Sequence, residues 1–515
     1  MRKPWLILLA ILCLFLATRF YKLGEVPVSA YWDEASIGYN AYSILQTGKD
    51  EWGNSFPLHF KAFGEYKLPF YIYATVLPVK LFGLNEFSVR LPSVIFALFN
   101  VLLMYFIAKK ISGKQSVGLL SAFFLSISPY FFIFSRTGYE AVPGMTFFLL
   151  GVLFFLKSQQ RPWWFLLTGL VMAVSMYVYN GYRIISPLVL LIFTVQLFVL
   201  HKKNLVKNFT PIVLAGVIFL IGCYPLINFL RSDGSVSRFQ AIGIEGLDRK
   251  KIFVGLDIAK NYLTHFNPVY LFVDGDKNLR SQIAGFGELY VFDAGLLVFG
   301  LIFLRKNPKL SRWPLALLLI GFLPAAVTRE VPHALRSLAA APFLSMVSAL
   351  GVVYLQDKLA IEKGKVVLAV VGIYLAFFLV YFNNFLTVYP AQSSASWQQD
   401  YKLIYQDYSK EFSNYDHILI SDRYDQPYIF SLFYQKYDPN KFRSEVVYNT
   451  DNRRATSLVK SFDKYIFDDI DFNQLPPGKT LIFSHPTDRL NELWVKNILY
   501  HSDGTVAFYV YEYQK

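Results

Sequence analysis

Residues 4–34 read PWLILLAILCLFLATRFYKLGEVPVSAYWDE. An unbroken apolar run over 4–20, preceded by Arg2 and Lys3, gives way to a mixed stretch that ends in Tyr31-Trp32-Asp33-Glu34. A membrane-crossing helix needs about 20 apolar residues, within a range of about 17–25. A basic start followed by an apolar run fits either a retained first span or a cleaved signal peptide. Leu16-Ala17-Thr18-Arg19 is a poor small-x-small cleavage site, so a retained span is expected. The carboxylate pair Asp33-Glu34 then stands at a membrane surface.

The rest of the chain repeats the apolar theme. Of 515 residues, 54% are hydrophobic and only 17% charged, with 49 Phe, 35 Tyr and 8 Trp; the mean hydropathy is +0.36. Soluble domains carry about 25% charged residues. This excludes a cytosolic enzyme, a disordered chain and a repeat solenoid. Cys13 and Cys223 both fall in apolar runs, which excludes a disulfide framework and a cysteine metal site. Eleven stretches qualify as candidate spans: 4–20, 88–108, 115–134, 143–157, 162–179, 184–200, 209–229, 290–304, 313–328, 337–355 and 366–388. The fold class expected is a polytopic α-helical membrane protein with a small C-terminal α/β domain.

Charge sets the expected sidedness. Net charge is +14, yet residues 390–515 hold 14 Lys+Arg against 17 Asp+Glu, so the excess lies in the membrane part. Alternate connections hold 17 basic residues, among them Lys109, Lys110, Lys114, Arg305, Lys306 and Lys363. The short loops of the opposite side hold four: Arg136, Arg183, Arg329 and Arg336. Basic loops face the cytoplasm. The expectation is a multi-pass protein of the plasma (inner) membrane, with a cytoplasmic N-terminus and the C-terminal domain outside. No basic run is interleaved with aromatics in the manner of a nucleic-acid binder.

Two outer connections, 21–87 and 231–289, are too long to be simple turns, and loops of that length are commonly functional. From residue 390 the sequence changes character. Helical spacing over 397–412 is followed by β-rich runs at 417–421, 479–484 and 506–511. The domains expected are 1–389, membrane-embedded, and 390–515, soluble and α/β.

Polar residues beside spans are costly and therefore informative. Asp33 and Glu34 can act as a general base or hold a metal, or they are solvated loop acids. In Phe63-Gly64-Glu65-Tyr66-Lys67-Leu68-Pro69, the lysine suits a phosphate as a compact point charge, or it snorkels from an interface. Arg90 opens the second span and alone reads as an interfacial anchor. Arg136 and Glu140, four residues apart in Ser135-Arg136-Thr137-Gly138-Tyr139-Glu140, can simply pair. Tyr179-Asn180-Gly181-Tyr182-Arg183 and Thr328-Arg329-Glu330-Val331-Pro332-His333-Ala334-Leu335-Arg336 complete the set. All lie on the outer side by the charge pattern, and together they suit an anionic lipid headgroup.

The order of these elements resembles that of the GT-C membrane glycosyltransferases of the protein O-mannosyltransferase and lipid A aminoarabinose transferase type (glycosyltransferase family 39 and relatives). An early Asp-Glu is followed by Gly48, a Lys-x-Pro element at 67–69, Asn85 to Pro92 entering a span, and Ser135 to Glu140 before another. The close likeness covers about residues 1–200. Beyond it, His333 and Arg336 resemble a later His-x-x-Arg element. The resemblance implies a sugar donor on a polyprenyl phosphate, transferred at the outer face to a lipid, glycan or protein hydroxyl, with inversion. It implies catalytic roles for Asp33, Glu34 and Glu140. Donor-phosphate contacts would come from Lys67, Arg136, Arg183 and Arg336, with Arg90 and His333. Tyr31, Trp32, Glu65, Tyr66, Tyr139 and Tyr182 would line the substrate. Tyr66 stands where the aminoarabinose branch commonly has an acid. No cofactor and no metal are expected, although Asp33, Glu34 and Glu140 could hold a divalent ion.

A lipid-linked saccharide flippase is the competing reading. Transporters show midplane charges and repeated halves; here the charges gather at one face and no repeat is visible. A non-catalytic assembly protein would tolerate charge changes in its outer loops.

Overall fold

The computed structural model describes residues 4–201, 205–231, 243, 251–359, 361–449, 458–488 and 495–514. Within the second long connection, residues 232–242 and 244–250 lie outside them. The chain divides into two compact units, one of residues 1–21 and 93–384, the other of residues 22–92 and 385–515.

The first unit is a bundle of apolar helices. Seven helices among the described residues are long and apolar enough to cross a membrane, or eight if the bent pair Gln115–Ile127 and Pro129–Arg136 is one span. Eleven were expected from the sequence. The stretches at 4–20 and 162–179 form the shorter helices Pro4–Phe20 and Trp164–Ser175. The stretch at 290–304 forms Val291–Lys306, of 16 residues. The 115–134 stretch bends by 69°, because Pro129 has no N–H to continue the ladder and forces extended backbone at Ser128.

Small residues let the helices approach. A Cβ at Gly300 would lie 2.1 Å from the Val347 carbonyl oxygen, and one at Gly351 would lie 2.0 Å from that of Leu296. The helices Val291–Lys306 and Ala341–Lys358 therefore touch backbone to backbone. Buried Asp293 is absorbed at this contact, accepting from Ser348 Oγ (2.8 Å) and Tyr374 OH (2.6 Å).

The second unit is α/β. Seven strands run in the order β4-β5-β6-β3-β7-β9-β8. They are β3 (His417–Ser421), β4 (Val447–Tyr448), β5 (Val459–Phe462), β6 (Tyr465–Asp468), β7 (Lys479–Ser484), β8 (Val495–Tyr500) and β9 (Val506–Gln514). β3 lies parallel to β6 and β7, in register Ile418↔Tyr465 and Ile418↔Leu481; the remaining pairs are antiparallel. Alternation in β3 and β7 sends Ile418, Ile420, Leu481 and Phe483 into one core with Tyr401 and Ile404 of the helix Gln399–Tyr408. That core also takes Ala35, Ile37 and Tyr39 of the helix Trp32–Thr47, together with Tyr71 and Ile72. The sequence reading grouped 21–87 with the membrane helices and set 390–515 apart, whereas residues 22–92 share their core with the C-terminal sheet.

Candidate active site

The helix Trp32–Thr47 begins at Tyr31, in extended backbone, and carries Asp33 and Glu34 in its first turn. Carboxylates there complement the helix dipole. Gly48 closes the helix in the left-handed region at φ 69°, its N–H bonded to the Ile44 carbonyl. Beside the helix stands a short hairpin, β1 (Phe60–Ala62) and β2 (Glu65–Lys67), paired Phe60↔Lys67. Its turn needs positive φ at Phe63 (52°) and Gly64 (77°).

The hairpin delivers Lys67 to Asp33. Lys67 Nζ donates to Asp33 Oδ1. The lysine side chain is 3% exposed and the aspartate 33%, so the carboxylate remains open to solvent while the ammonium is enclosed. Lys67 Nζ also lies 5.5 Å from the centroid of the Phe63 ring. Phe63 packs on Trp32 (5.8 Å), and Trp32 on Tyr31 (5.0 Å). Glu65 and Tyr66 are half-buried on β2.

The neighbouring carboxylate is wholly engaged elsewhere. Arg90 Nε and Nη2 donate to Glu34 Oε1 (3.1 Å) and Oε2 (2.9 Å). Its remaining N–H groups reach the carbonyls of Leu23 (3.1 Å), Pro27 (3.0 Å) and Ser29 (2.6 Å). Both side chains are buried. The sequence reading gave Arg90 to the donor phosphate and Glu34 to catalysis. Its fork is instead spent on fixing the segment that leads into the Asp33 helix. Gln398 braces the same turn, with Oε1 accepting from Trp32 N (3.1 Å) and Nε2 donating to the Tyr424 carbonyl (2.6 Å).

The other candidates belong to the first unit. Arg136 is buried, and its guanidinium donates to the carbonyls of Arg19 (2.9 Å) and Tyr21 (2.8 Å), and to that of Thr18. It thus caps the C-terminus of the helix Pro4–Phe20, where carbonyls lack intrahelical donors. The sequence reading gave Arg136 to the donor phosphate; in the structure these N–H groups meet carbonyls. Glu140 sits at the N-cap of the helix Ala141–Ser158 without a side-chain cap bond, and its carbonyl accepts from Gly144 N. Tyr139 is half-buried against Phe134. Arg183 Nε reaches the Met176 carbonyl at 3.4 Å. Tyr182 is buried, and it shares a small crevice with Arg336.

His333 lines a cavity of about 770 Å³ that the sequence reading did not foresee. Asp276, Asn278, Arg280 and Glu330 also line it. His333 Nδ1 stands 3.6 Å from Asp276 Oδ2 and Nε2 stands 3.8 Å from Glu330 Oε2, which also meets Arg336 at 3.4 Å. The backbone N–H of His333 donates to His265 Nε2 (3.2 Å). Burial, aided by the Arg336 charge, holds the His333 imidazole down at about 3, so it is neutral near pH 7. Burial raises the Asp276 and Glu288 carboxyls, the latter well above the usual carboxylate range. Among the described residues no three His, Cys, Asp or Glu are grouped to hold a metal ion.

Comparison with known proteins bears on the fold and on part of the sequence. The family described as dolichyl-phosphate-mannose-protein mannosyltransferase matches residues 67–229. An uncharacterized protein of Aquifex aeolicus (strain VF5) is 28% identical over 181 residues, which is 34% of each chain. The match therefore spans about a third of that relative's length. ArnT from Cupriavidus metallidurans in the apo state has the same fold, with a TM-score of 0.59, 14% identity, and 99% of this chain and 98% of that one covered. ArnT bound to undecaprenyl phosphate gives 0.54, 13%, and 94% of each. The fold is thus similar to that of ArnT over nearly the whole chain, while the match to the mannosyltransferase family covers residues 67–229. Fold and matched stretch together support the resemblance to a GT-C membrane glycosyltransferase of the mannosyltransferase and aminoarabinose transferase type.

Proposed function

We propose that the protein is a glycosyltransferase that moves a sugar from a polyprenyl-phosphate donor to an acceptor hydroxyl at the outer membrane face. The observation that carries this reading is the contact between solvent-open Asp33 and enclosed Lys67. Asp33 is the base and Lys67 the phosphate ligand. An arriving phosphate competes with Asp33 for the ammonium and frees the carboxylate. The acceptor oxygen then attacks the anomeric carbon and its proton passes to Asp33. The bond from that carbon to the phosphate oxygen breaks, with its electron pair leaving on the phosphate. Lys67 neutralises the charge that develops there, a contact that strengthens in the transition state. A single displacement inverts the anomeric centre. Trp32 and Phe63 restrict water at the pair.

Arg336 and neutral His333 are retained as donor contacts on the resemblance, and Arg183 on its place in the outer-loop charge pattern. Arg90 and Arg136 are assigned instead to positioning backbone. Glu140 stays an auxiliary acid on the resemblance alone.

The test is turnover of a panel of undecaprenyl-phosphate sugars by the purified full chain, scored as donor hydrolysis and transfer. No turnover of any donor, with the protein folded, overturns the reading. Sidedness is tested separately in a chain lacking Cys13 and Cys223. Cysteines at exposed Ser55 and Ser502 should react with an impermeant reagent in intact cells, and one at exposed Lys309 should not. The reverse pattern inverts the orientation.

A further inference from the structure

A groove of about 830 Å³ runs between the helices Pro4–Phe20, Gln115–Ile127, Ala341–Lys358 and Lys363–Thr387. Its volume lies in the range of sites that enclose a ligand. Its walls are aliphatic and aromatic, with Ile11, Leu14, Leu120, Phe123 and Val371 along its length. Its mouth is different. Lys114, Ser116, Gln356, Asp357, Lys363 and Gly364 gather there. Two helices start at this mouth, one at Gln115 with Lys114 as its extended N-cap residue, the other at Lys363. First-turn N–H groups have no intrahelical acceptor and favour an anion.

We propose that this groove binds an anionic glycerophospholipid, with its phosphate at Lys114 and Lys363 and one acyl chain along the apolar walls. Charge complementarity selects the occupant. The mouth holds two lysines against the single acid Asp357. Lys363 Nζ meets Asp357 Oδ1 at 2.9 Å, but both side chains are well exposed, so solvent screens the pair and a phosphate competes for the ammonium. Lys114 is exposed, with its ammonium 5.7 Å from the Phe303 ring centroid and within electrostatic reach of Asp357. Gln356 braces the mouth through Nε2 to the Lys363 carbonyl (2.9 Å).

The charge pattern assigns this mouth to the basic side of the membrane, where anionic headgroups concentrate near lysines. The loop that carries Asp33 falls on the other side by the same pattern. The groove is therefore a lipid site separate from donor chemistry, and the proposal does not rest on the proposed activity.

Native mass spectrometry of the full chain in detergent tests it, with phosphatidylglycerol and phosphatidylcholine of identical acyl chains as probes. One phosphatidylglycerol should be retained under activation that strips phosphatidylcholine. Lys114→Gln with Lys363→Gln should lower that retention roughly tenfold or more, since two cationic contacts are removed. Val367→Trp, on the half-buried wall, should lower it with the charges intact. Equal retention of the two lipids, or a double variant that retains phosphatidylglycerol like the parent, overturns the proposal. Displacement of phosphatidylglycerol by equimolar undecaprenyl phosphate also overturns it and gives the groove to the donor's tail.

Discussion

Asp33 and Glu34 are adjacent carboxylates on one helical turn, and each meets a cation from a distant part of the sequence. Their surroundings separate them. Glu34 and Arg90 are both buried, and the remaining donors of the guanidinium are fixed by three carbonyls. Asp33 keeps a third of its side chain in solvent, and Lys67 offers a single rotatable ammonium. One pair has nothing left to give a ligand; the other can exchange its partner. A planar fork suits the first task and a point charge the second. The comparison separates a pair closed on its surroundings from one whose partner a ligand can reach.

The largest effect expected separates chemistry from scaffold. Asp33→Asn keeps shape and removes basicity, so turnover should fall by about 10²–10⁴-fold, with the unfolding midpoint lowered far less than by loss of a fully buried partner. Turnover at the parental rate would move the base to another acid, with Glu140 next in line.

Arg90→Met should do the reverse. Removing one partner of a buried pair costs about 3–5 kcal/mol, because the other charge is left uncompensated. The expected result is a chain in detergent that unfolds at markedly lower temperature. The double change Arg90→Met with Glu34→Gln should recover part of the loss. A stable single variant with weakened donor affinity would return Arg90 to the phosphate.

Lys67→Met comes third. A charge-assisted hydrogen bond contributes about 1.5–3 kcal/mol, so kcat/KM should fall roughly 10–150-fold. Lys67→Arg should rescue poorly, since the pocket beside Phe63 holds a compact ammonium. Donor affinity and rate that survive Lys67→Met in a folded chain would reduce the residue to an interfacial anchor.

Much of the architecture was readable from local pattern. Long apolar runs announced the helices Glu86–Ser112 and Lys363–Thr387, and alternation announced β3, β7 and β9. The short strands β4, β5 and β6 carry two to four residues each, too few for a period to show. The pair Asp33 and Lys67 was legible as two separate motifs, but its contact was not, because 34 positions separate them. The bonds of Arg90 and Arg136 were not legible for one shared reason. Each lies beside a span, where an arginine suggests an anion, yet what each bonds is largely main-chain carbonyl, and a carbonyl leaves no mark in the residue letters. The cavity at His333 was half visible. The histidine was noted, but Asp276 and Asn278 sit in a glycine-rich connection whose polarity resembles that of any loop.

The smallest effect concerns a third acid of the same unit, one with no ion-pair partner among the described residues. Glu51 is buried and accepts from Asn40 Nδ2 (3.1 Å) and Tyr428 OH (3.2 Å). Burial, with Asp50 beside it, pushes its carboxyl up to about 7. The sign follows from proton counts. Between the ordinary glutamate range and about pH 7, the folded chain holds a proton that the unfolded chain has released. Stability from this group is therefore complete at acidic pH, falls as pH rises toward 7, and levels off above it. Glu51→Gln keeps the neutral form at every pH. Its unfolding midpoint should match the parent near pH 5 and exceed it at pH 8. Parallel curves across that interval would mean that Glu51 is ionised in the folded chain, and that polar neighbours without charge are enough to hold a buried carboxylate here.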